Sequence, residues 1–406
     1  MNTMTRGAGP ASSLAAAPFW LEAAECHLPD LIELVAQRTA LDDYPLAAAL
    51  QSNALLYDGD ALRARLAGAD AAAADARALQ AEWGAALLHG PGIVVLKRAV
   101  ADMGIIDDVN AVFQAIIDEQ RAGGGASGDH FARPGANDRI WNAQQKLCQR
   151  APAAFARYYG NPLLALMCQA WLGPSYQVTA QVNVVNPGGA AQAPHRDYHL
   201  GFQSAQACAG YPAHVHQLSA GLTLQGAVAH CAMPLETGPT LYLPHSQKYL
   251  PGYLAYHQPA FRAYFDQHHV QLPLDKGDAV FFNPALFHAA GHNRSGDVRR
   301  IANLLQVSSP FGRAMESLDR RAMSEALYPA LLTLRAQGRL TAAEAGYAVA
   351  ACAEGYAFPG NLDRDPPLGG MTPQTQQQIV QQALAELWPV QRLSEALAQK
   401  QSRQQA

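Results

Sequence analysis

The fold class predicted for this chain is a mainly β core with substantial α-helical additions at both ends. Several short runs of apolar or alternating residues lie between about residues 175 and 285, and turn signals such as Gly238-Pro239 and Gly277-Asp278 separate them. These runs do not alternate regularly with helical segments, which favours an antiparallel architecture over βαβ units. Alanine-rich stretches with helical spacing precede and follow them. We therefore expect a jelly roll, or double-stranded β-helix, of the cupin-like type.

The chain of 406 residues is long enough for one large domain with added helices. The predicted organisation has a disordered N-terminus, a helical N-terminal extension, a jelly-roll core, a helical C-terminal extension and a short tail. Their boundaries are 1–15, 16–90, 91–310, 311–398 and 399–406, respectively.

The N-terminal half contains helical and strand-like segments in succession. PFWLEAAECHLPDLIELVAQ and the run from Ala69 to Leu88 predict helices, and GIVVLKR from Gly92 predicts a strand. Apolar residues at helical spacing between Ile105 and Ile117 predict a helix that covers a sheet. Residues 122–137 hold five glycines, a composition that suits either a mobile lid or a plain connector.

The stretch from residue 139 to residue 185 leads into the predicted core. RIWNAQQKL predicts a strand, and a helix should follow from Pro152 to Leu172. SYQVTAQVNVV then alternates: one face carries Tyr176, Val178, Ala180, Val182 and Val184, and the other carries Gln177, Thr179, Gln181 and Asn183. Such a polar face meets solvent in an ordinary sheet but lines a ligand cavity in a small barrel.

The C-terminal hundred residues are predicted to be helical. Thr341 and Glu344 form a capping-box pattern, and the stretch from Glu316 to Gln337 forms helix but contains Pro329, which should break or kink it. These helices are expected to wrap the barrel, to shape substrate access or to form a homodimer contact.

The composition argues against several classes of partner. The net charge is −4 and the basic residues are scattered, which argues against nucleic-acid binding. No apolar stretch is long enough to span a bilayer, and no signal-peptide pattern is evident, so no membrane role is expected. The six cysteines form no CxxC motif, and we interpret them as reduced thiols of a cytoplasmic protein.

The stretch HRDYHLGF carries the candidate metal chemistry. His195 and Asp197 are two positions apart, so on a strand both side chains project from one face. Two histidines and one carboxylate with open positions opposite are typical of non-heme Fe(II) oxygenases. The tripeptide alone is weak evidence, because it also occurs by chance on solvated strands and loops. HAAGHNRSGDVRR offers the distant third ligand as His288 or His292.

Together these motifs resemble the phytanoyl-CoA dioxygenase family of Fe(II)/2-oxoglutarate oxygenases. The family pattern is HxD, a Gly-Pro stretch, and then HxxGxN followed by an arginine. The chain matches it with His195 and Asp197, with ETGPTLYLPHSQKY from Glu236, and with His288, Gly291, Asn293 and Arg299. The match spans about residues 140 to 310, and the flanks show no such resemblance.

The resemblance implies one Fe(II) ion held by His195, Asp197 and His288, with 2-oxoglutarate and O2 as co-substrates. His288 is favoured over His292 because the HxxGxN register begins there. Iron with three facial protein ligands supports oxidative decarboxylation of 2-oxoglutarate to succinate and CO2, which the protein positions and shields. Relatives that chlorinate their substrate lack the carboxylate ligand, so Asp197 implies oxygenation.

The resemblance also implies residues that hold 2-oxoglutarate. Arg299 lies eleven positions after His288, which is the family position of the arginine that binds the far carboxylate. Arg300 is the alternative, because strand alternation puts the two arginines on opposite faces. Asn183 is the candidate for an amide that helps to hold the co-substrate. Some relatives carry a serine where this chain has Ala290, so one hydrogen bond to the co-substrate is expected to be absent.

The sequence thus predicts a dioxygenase that hydroxylates a small organic molecule. Desaturation or ring formation by the same chemistry is the closest alternative. A catalytically silent ligand-binding barrel and a cupin-like hydrolase or isomerase with another metal are the others. The intact histidine–carboxylate set and the arginine argue against a silent barrel, and the substrate itself is not encoded in any motif.

Overall fold

The computed structural model describes residues 18–68, 72–123, 135–357, 360–368 and 372–405. Its strands are β1 Ala49–Gln51, β2 Ala54–Asp58, β3 Ile93–Lys97, β4 Asn137–Ile140, β5 Gln177–Val185, β6 Thr223–Ala229, β7 Leu241–Leu243, β8 Val270–Gln271, β9 Ala279–Phe282, β10 Phe287–Ala289 and β11 Arg300–Ser308.

Helices surround these strands. Before β6 they are α1 Leu28–Val35, α2 Gly59–Leu66, α3 Ala72–Leu88, α4 Met103–Ala122, α5 Ala143–Arg150, α6 Pro152–Tyr159, α7 Pro162–Leu172, α8 Ala205–Ala209 and α9 Ala213–Gly221. After β6 they are α10 Gly252–Ala255, α11 Pro259–His268, α12 Arg320–Ala336, α13 Ala342–Cys352, α14 Gln376–Glu386 and α15 Val390–Gln404.

The strands form two sheets that face each other. The larger sheet has the order β1-β2-β3-β9-β6-β11-β5-β4 and the smaller has the order β10-β7-β8. All pairs are antiparallel except β2 and β3. Residues of β5, β6, β9 and β11 line one side of a cavity, and residues of β7 and β10 line the other. This is the predicted double-stranded β-helix with helical additions.

Strand alternation separates the hydrophobic core from the cavity, as the sequence of β5 predicts. Val178 and Val182 point outward into the main core, where they pack with residues of α4, α6, α7, α12 and α13. Gln181 and Asn183 point inward and line the cavity. The helices therefore cover the outer face of the larger sheet, so its inner face is left for the site.

The N-terminal extension is not purely helical, contrary to the prediction. β1 and β2 form a hairpin that extends the larger sheet, and β2 pairs in parallel with β3. Ser52 and Asn53 make the turn with φ values of 49° and 65°, the left-handed conformation that tight hairpin turns require. Tertiary pairing along β3 outweighs the helical tendency of the surrounding alanine-rich sequence.

Three further local predictions were wrong, in whole or in part. The predicted strand at RIWNAQQKL ends at Ile140, and α5 follows, because Ala143, Leu147 and Cys148 bury one helical face. Pro329 lies inside α12 without ending it; burial of the helix's apolar face outweighs the proline's cost of about 3 kcal/mol. The predicted tail is largely the end of α15, where buried Lys400 donates to Asp365 at 2.6 Å.

Other expectations have mixed outcomes. The predicted disordered segment 1–15 and most of the glycine-rich segment, residues 124–134, lie outside the described residues. All six cysteines are unpaired, as expected. Among the described helices, none is both long enough and apolar enough to cross a membrane.

Candidate active site

The two ends of the HRD tripeptide are fixed by pairing with the strand that carries the distant histidine. The backbone N–H of His195 donates to the carbonyl of His288 at 2.9 Å, and that of His288 donates to the carbonyl of His195 at 3.1 Å. The N–H of Asp197 donates to the carbonyl of Pro284 at 3.1 Å. Residues 93 positions apart in the chain thus become direct neighbours across one antiparallel bridge.

The ligand atoms of these three residues converge. His195 Nε2 lies 3.6 Å from Asp197 Oδ1, and His288 Nε2 lies 3.4 Å from Asp197 Oδ2. Ligand atoms of the three residues all lie within 4.8 Å of one another. The set of residue types is the 2-His-1-carboxylate arrangement that suits Fe(II).

Each histidine is held with its Nε2 atom toward the shared point. His195 Nδ1 lies 2.9 Å from the carbonyl of Ala193, and His288 Nδ1 lies 2.9 Å from the carbonyl of Leu286. A carbonyl only accepts, so each Nδ1 carries the proton and each Nε2 keeps its lone pair. Metal-binding histidines are oriented in this way by a second hydrogen bond.

The electrostatics of the three residues match a cation site. Burial lowers the pKa of His195, which keeps its imidazole neutral and able to bind a metal. Burial alone would raise the pKa of Asp197, but His195, His288 and the side-chain amide of Gln225 hold it well below its usual range. Two imidazoles and one carboxylate therefore meet at one point, and the fit to a divalent metal is good.

The HxxGxN motif has a structural part as well as a ligand. His292 is not among the converging residues, so the geometry brings His288 and not its rival to the site. A Cβ at Gly291 would lie 2.6 Å from the carbonyl of Pro239, so only glycine fits against the Gly-Pro turn. Asn293 donates to the carbonyls of Val185 and Val298, each at 2.9 Å, and thereby ties the loop to β5.

Arg196, between the two HxD ligands, is a buried anchor that the sequence did not reveal. Its guanidinium donates to the carbonyls of Ser246 and Tyr249 at 2.6 and 2.8 Å and lies 5.1 Å from the ring centres of both Tyr253 and Phe287. Burial lowers its pKa to about 10, so it stays charged at neutral pH. Arg196 thus fixes the ligand segment to the 246–253 loop and to β10.

The three residues open into a cavity of about 640 Å³ between the sheets. That volume falls in the range of pockets for small organic molecules, roughly 300–1,000 Å³. Side chains at one end include Arg300, Thr240 and Tyr242, and side chains elsewhere in the lining include Tyr198 and Gln306. The site therefore has room for two organic molecules beside a metal.

The two candidate arginines lie on opposite sides of the larger sheet. Arg299, the predicted residue, does not line the cavity; its side chain is 38% exposed, and Nη2 lies 3.5 Å from Asp138 Oδ2. Arg300 lines the cavity and is buried. Its Nη1 donates to the carbonyls of Thr237 and Gly291, and it forms no ion pair within the described part of the chain.

The remaining predicted positions are both at the cavity. Asn183 lines it, and its Oδ1 is buried without a hydrogen-bond partner among the described residues. Ala290 lines it as well, and its methyl group offers no hydrogen bond. Gln225 was missed because it lies in an otherwise apolar run; its only sequence signal is an amide at a strand position that alternates inward.

Comparisons with known proteins place the chain in a family. A family model described as phytanoyl-CoA dioxygenase (PhyH) matches residues 70–301, which is more than half of the chain. No curated protein matches the chain.

Three solved structures are similar to the chain at low sequence identity. The crystal structure of the non-heme alpha ketoglutarate dependent epimerase SnoN from nogalamycin biosynthesis is 20% identical, with 57% of this chain and 82% of that chain covered and a TM-score of 0.39. The carbocyclase SnoK from the same biosynthesis is 17% identical, with 54% and 80% covered and a TM-score of 0.38. EvdMO1 is 17% identical, with 51% and 44% covered and a TM-score of 0.34. Likeness at this level says nothing about which reaction the chain performs.

Proposed function

Because the chain belongs to the phytanoyl-CoA dioxygenase family, we propose that it is an Fe(II)- and 2-oxoglutarate-dependent dioxygenase that hydroxylates a small organic molecule. One observation carries the proposal: the converging atoms of His195, Asp197 and His288 share a single cavity with the buried guanidinium of Arg300, which forms no ion pair with any described residue. A metal-binding face and a fixed cation in one cavity suit a dicarboxylate co-substrate bound beside the metal.

His195, Asp197 and His288 would hold Fe(II). When bound, Fe(II) with 2-oxoglutarate and O2 supplies an oxidative decarboxylation that releases succinate and CO2 and oxygenates the substrate. The protein's contribution is to keep the two imidazoles correctly oriented, through the carbonyls of Ala193 and Leu286. The Gln225 amide donates a hydrogen bond to Oδ2 of Asp197 and so helps to hold its carboxylate.

Arg300, rather than the predicted Arg299, would bind the far carboxylate of 2-oxoglutarate. Burial lowers the pKa of Arg300 to about 10, so its guanidinium is charged at neutral pH. It has no acidic partner within the described residues, and a buried cation without one is costly unless an anion binds there. Tyr242 lies close enough to interact electrostatically with Arg300 and lines the same end of the cavity.

Asn183 would contribute a hydrogen bond to the co-substrate or to water beside it. It pairs with Ala302 across β5 and β11, and both residues line the cavity together with Arg300. The unpartnered Oδ1 of Asn183 supports a role toward a bound molecule, since buried amides are rarely left unpaired.

Anaerobic titration tests the proposal. Adding Fe(II) and then 2-oxoglutarate to the protein should produce the visible charge-transfer band of the bound pair, and His288→Ala should abolish it. His292→Ala is the matched control and should keep the band. A band that survives His288→Ala but disappears in His292→Ala would contradict the ligand assignment.

Turnover then separates the reaction outcomes. Incubation with Fe(II), 2-oxoglutarate, O2 and a panel of small molecules should release succinate, with one product gaining a single oxygen atom by mass spectrometry. A product lighter by two hydrogens would instead indicate desaturation or ring formation. Failure of the protein to bind both Fe(II) and 2-oxoglutarate would leave a silent barrel as the better description.

A further inference from the structure

The cavity has two ends, and residues at the two ends of β11 line them. Arg300, Ala302, Leu304 and Gln306 all face the cavity. At about 3.4 Å per residue, Gln306 lies roughly 20 Å along the strand from Arg300. Gln306 is opposite Gln225 on β6, and Gln225 contacts the ligand Asp197. The end of the cavity beyond the metal-binding residues is therefore distinct from the Arg300 end.

Polar side chains at this second end are buried without partners. Gln306 is 7% exposed, and its side-chain Oε1 atom is buried without a hydrogen-bond partner among the described residues. Tyr198 is 2% exposed, and its hydroxyl likewise has no partner there. Buried amides and hydroxyls in proteins are nearly always hydrogen-bonded, so two unpartnered groups that line one cavity point to a bound molecule.

The backbone of Tyr198 supports the same conclusion. Tyr198 has φ 64° and ψ 145°, a conformation that a bulky residue rarely adopts. Such strain persists where the surrounding structure enforces it, and it concentrates at binding and catalytic sites. Tyr198 lines the cavity and directly follows Asp197 in the chain.

The cavity lining also holds several apolar and aromatic side chains, beside Arg139, whose guanidinium lies over the Trp141 ring, and Gln181. Trp141, Phe202, Leu304 and Met315 line the cavity with Tyr198 and Gln306. Aromatic walls favour a planar or cyclic body, because ring faces stack against it. A flexible aliphatic chain would leave both polar groups unpaired in the bound state.

From this arrangement we infer that Tyr198 and Gln306 form a specificity subsite for the primary substrate, which is a cyclic, largely apolar molecule that carries hydroxyl groups. The inference rests on the proposed function, because it takes the Arg300 end as the place of the co-substrate. The Gln306 amide forms a hydrogen bond with one substrate hydroxyl, and the Tyr198 hydroxyl forms a hydrogen bond with a second. A site built around hydrogen bonds rejects analogues that cannot make them.

A matched pair of probes tests the subsite without turnover. The protein is loaded with Zn(II), which is redox-inert, and with 2-oxoglutarate. Binding of 2,7-dihydroxynaphthalene and of its dimethyl ether is then measured by calorimetry. The diol should bind at least about tenfold more tightly than the ether, which keeps the ring but loses both donors.

Two variants and one control complete the test. Tyr198→Phe and Gln306→Met should each weaken diol binding by about tenfold and leave ether binding and 2-oxoglutarate affinity unchanged. Tyr211→Phe, outside the cavity lining, should change neither. Equal binding of the two probes, binding of neither, or a diol preference that survives both variants would overturn the subsite. Loss of 2-oxoglutarate binding in the unaltered protein would instead count against the proposed function.

Discussion

Replacing Arg300 with lysine tests the geometry of the co-substrate end. The guanidinium is buried and charged. Its Nη1 atom donates to the carbonyls of Thr237 and Gly291, and its other nitrogens form no hydrogen bond with the described residues. The remaining N–H groups are therefore available for a bidentate contact with a carboxylate. Lysine keeps the positive charge but loses the planar fork, so Arg300→Lys removes one of two charge-assisted hydrogen bonds.

The magnitude follows from that single lost bond. A hydrogen bond to a charged group contributes roughly 1.5–3 kcal/mol. At about 1.4 kcal/mol per factor of ten, Arg300→Lys should raise the dissociation constant of 2-oxoglutarate by about 10- to 150-fold. Arg299→Lys should change it less than about twofold, because Arg299 is partly exposed and contacts Asp138 outside the cavity.

The assay is an anaerobic titration of the Fe(II)-loaded protein with 2-oxoglutarate, followed through the charge-transfer band. Thermal melts of both variants check that each remains folded. A weakened affinity in Arg299→Lys together with an unchanged affinity in Arg300→Lys would refute the strand register on which this reasoning depends.

Three further outcomes are expected. Gln225→Leu should weaken binding of Mn(II), used as a stand-in for Fe(II), by about 10- to 100-fold in a paramagnetic-resonance titration, because Asp197 loses the amide that orients it. Gln80→Leu, on α3, is the control. Equal Mn(II) affinities of Gln225→Leu and the unaltered protein would show that Gln225 does not support the metal site. Turnover in the presence of chloride should give an oxygenated main product, because Asp197 occupies the position that chloride would need, and a chlorinated main product by mass spectrometry would contradict this. Burial lowers the pKa of His230 from 6.5 to about 3, so the folded state resists its protonation and the free energy of unfolding should fall as the pH drops from about 6.5 toward 3. At pH 4 that loss approaches about 3 kcal/mol. In urea unfolding, the free energy of unfolding of His230→Gln should therefore differ less between pH 7 and pH 4 than that of the unaltered protein.

Much of the site was predictable because its chemistry lies in contiguous motifs. HxD and HxxGxN give the residue types and the spacing within each piece, and their convergence in the structure follows from the predicted sheet architecture. The alternation of β5 likewise predicted that Gln181 and Asn183 share a face. In these cases a strand's period of two residues carries the information directly.

The sequence could not show which of Arg299 and Arg300 faces the cavity, and the reason is physical. β10 ends at Ala289 and β11 begins at Arg300, and the loop between them has no regular period. Inward and outward positions therefore cannot be counted across it from His288. Tyr198 and Arg196 were missed for a related reason, since their roles depend on a left-handed backbone and on a pocket made by a distant loop.

The hairpin of β1 and β2 shows the other limit. Its strands are short and lie between two helices, α1 and α2, and β2 pairs with β3, about forty residues away. The conformational propensity of a short segment carries no information about a contact with residues so far away in the sequence.

The separation of the two proposed binding sites along β11 has a consequence for how the substrate range of this enzyme could change. In the proposed arrangement, Arg300 near the beginning of β11 binds the co-substrate and Gln306 near its end binds the substrate, and the cavity-facing residues between them, Ala302 and Leu304, are small or apolar. Point substitutions at positions 304 and 306 can therefore retune substrate range while co-substrate use is inherited unchanged. A single-residue insertion or deletion within the strand would turn every later side chain to the opposite face at once. Variation in this lineage, natural or engineered, is thus expected to proceed by substitution in the strand and by length changes only in the loops that flank it.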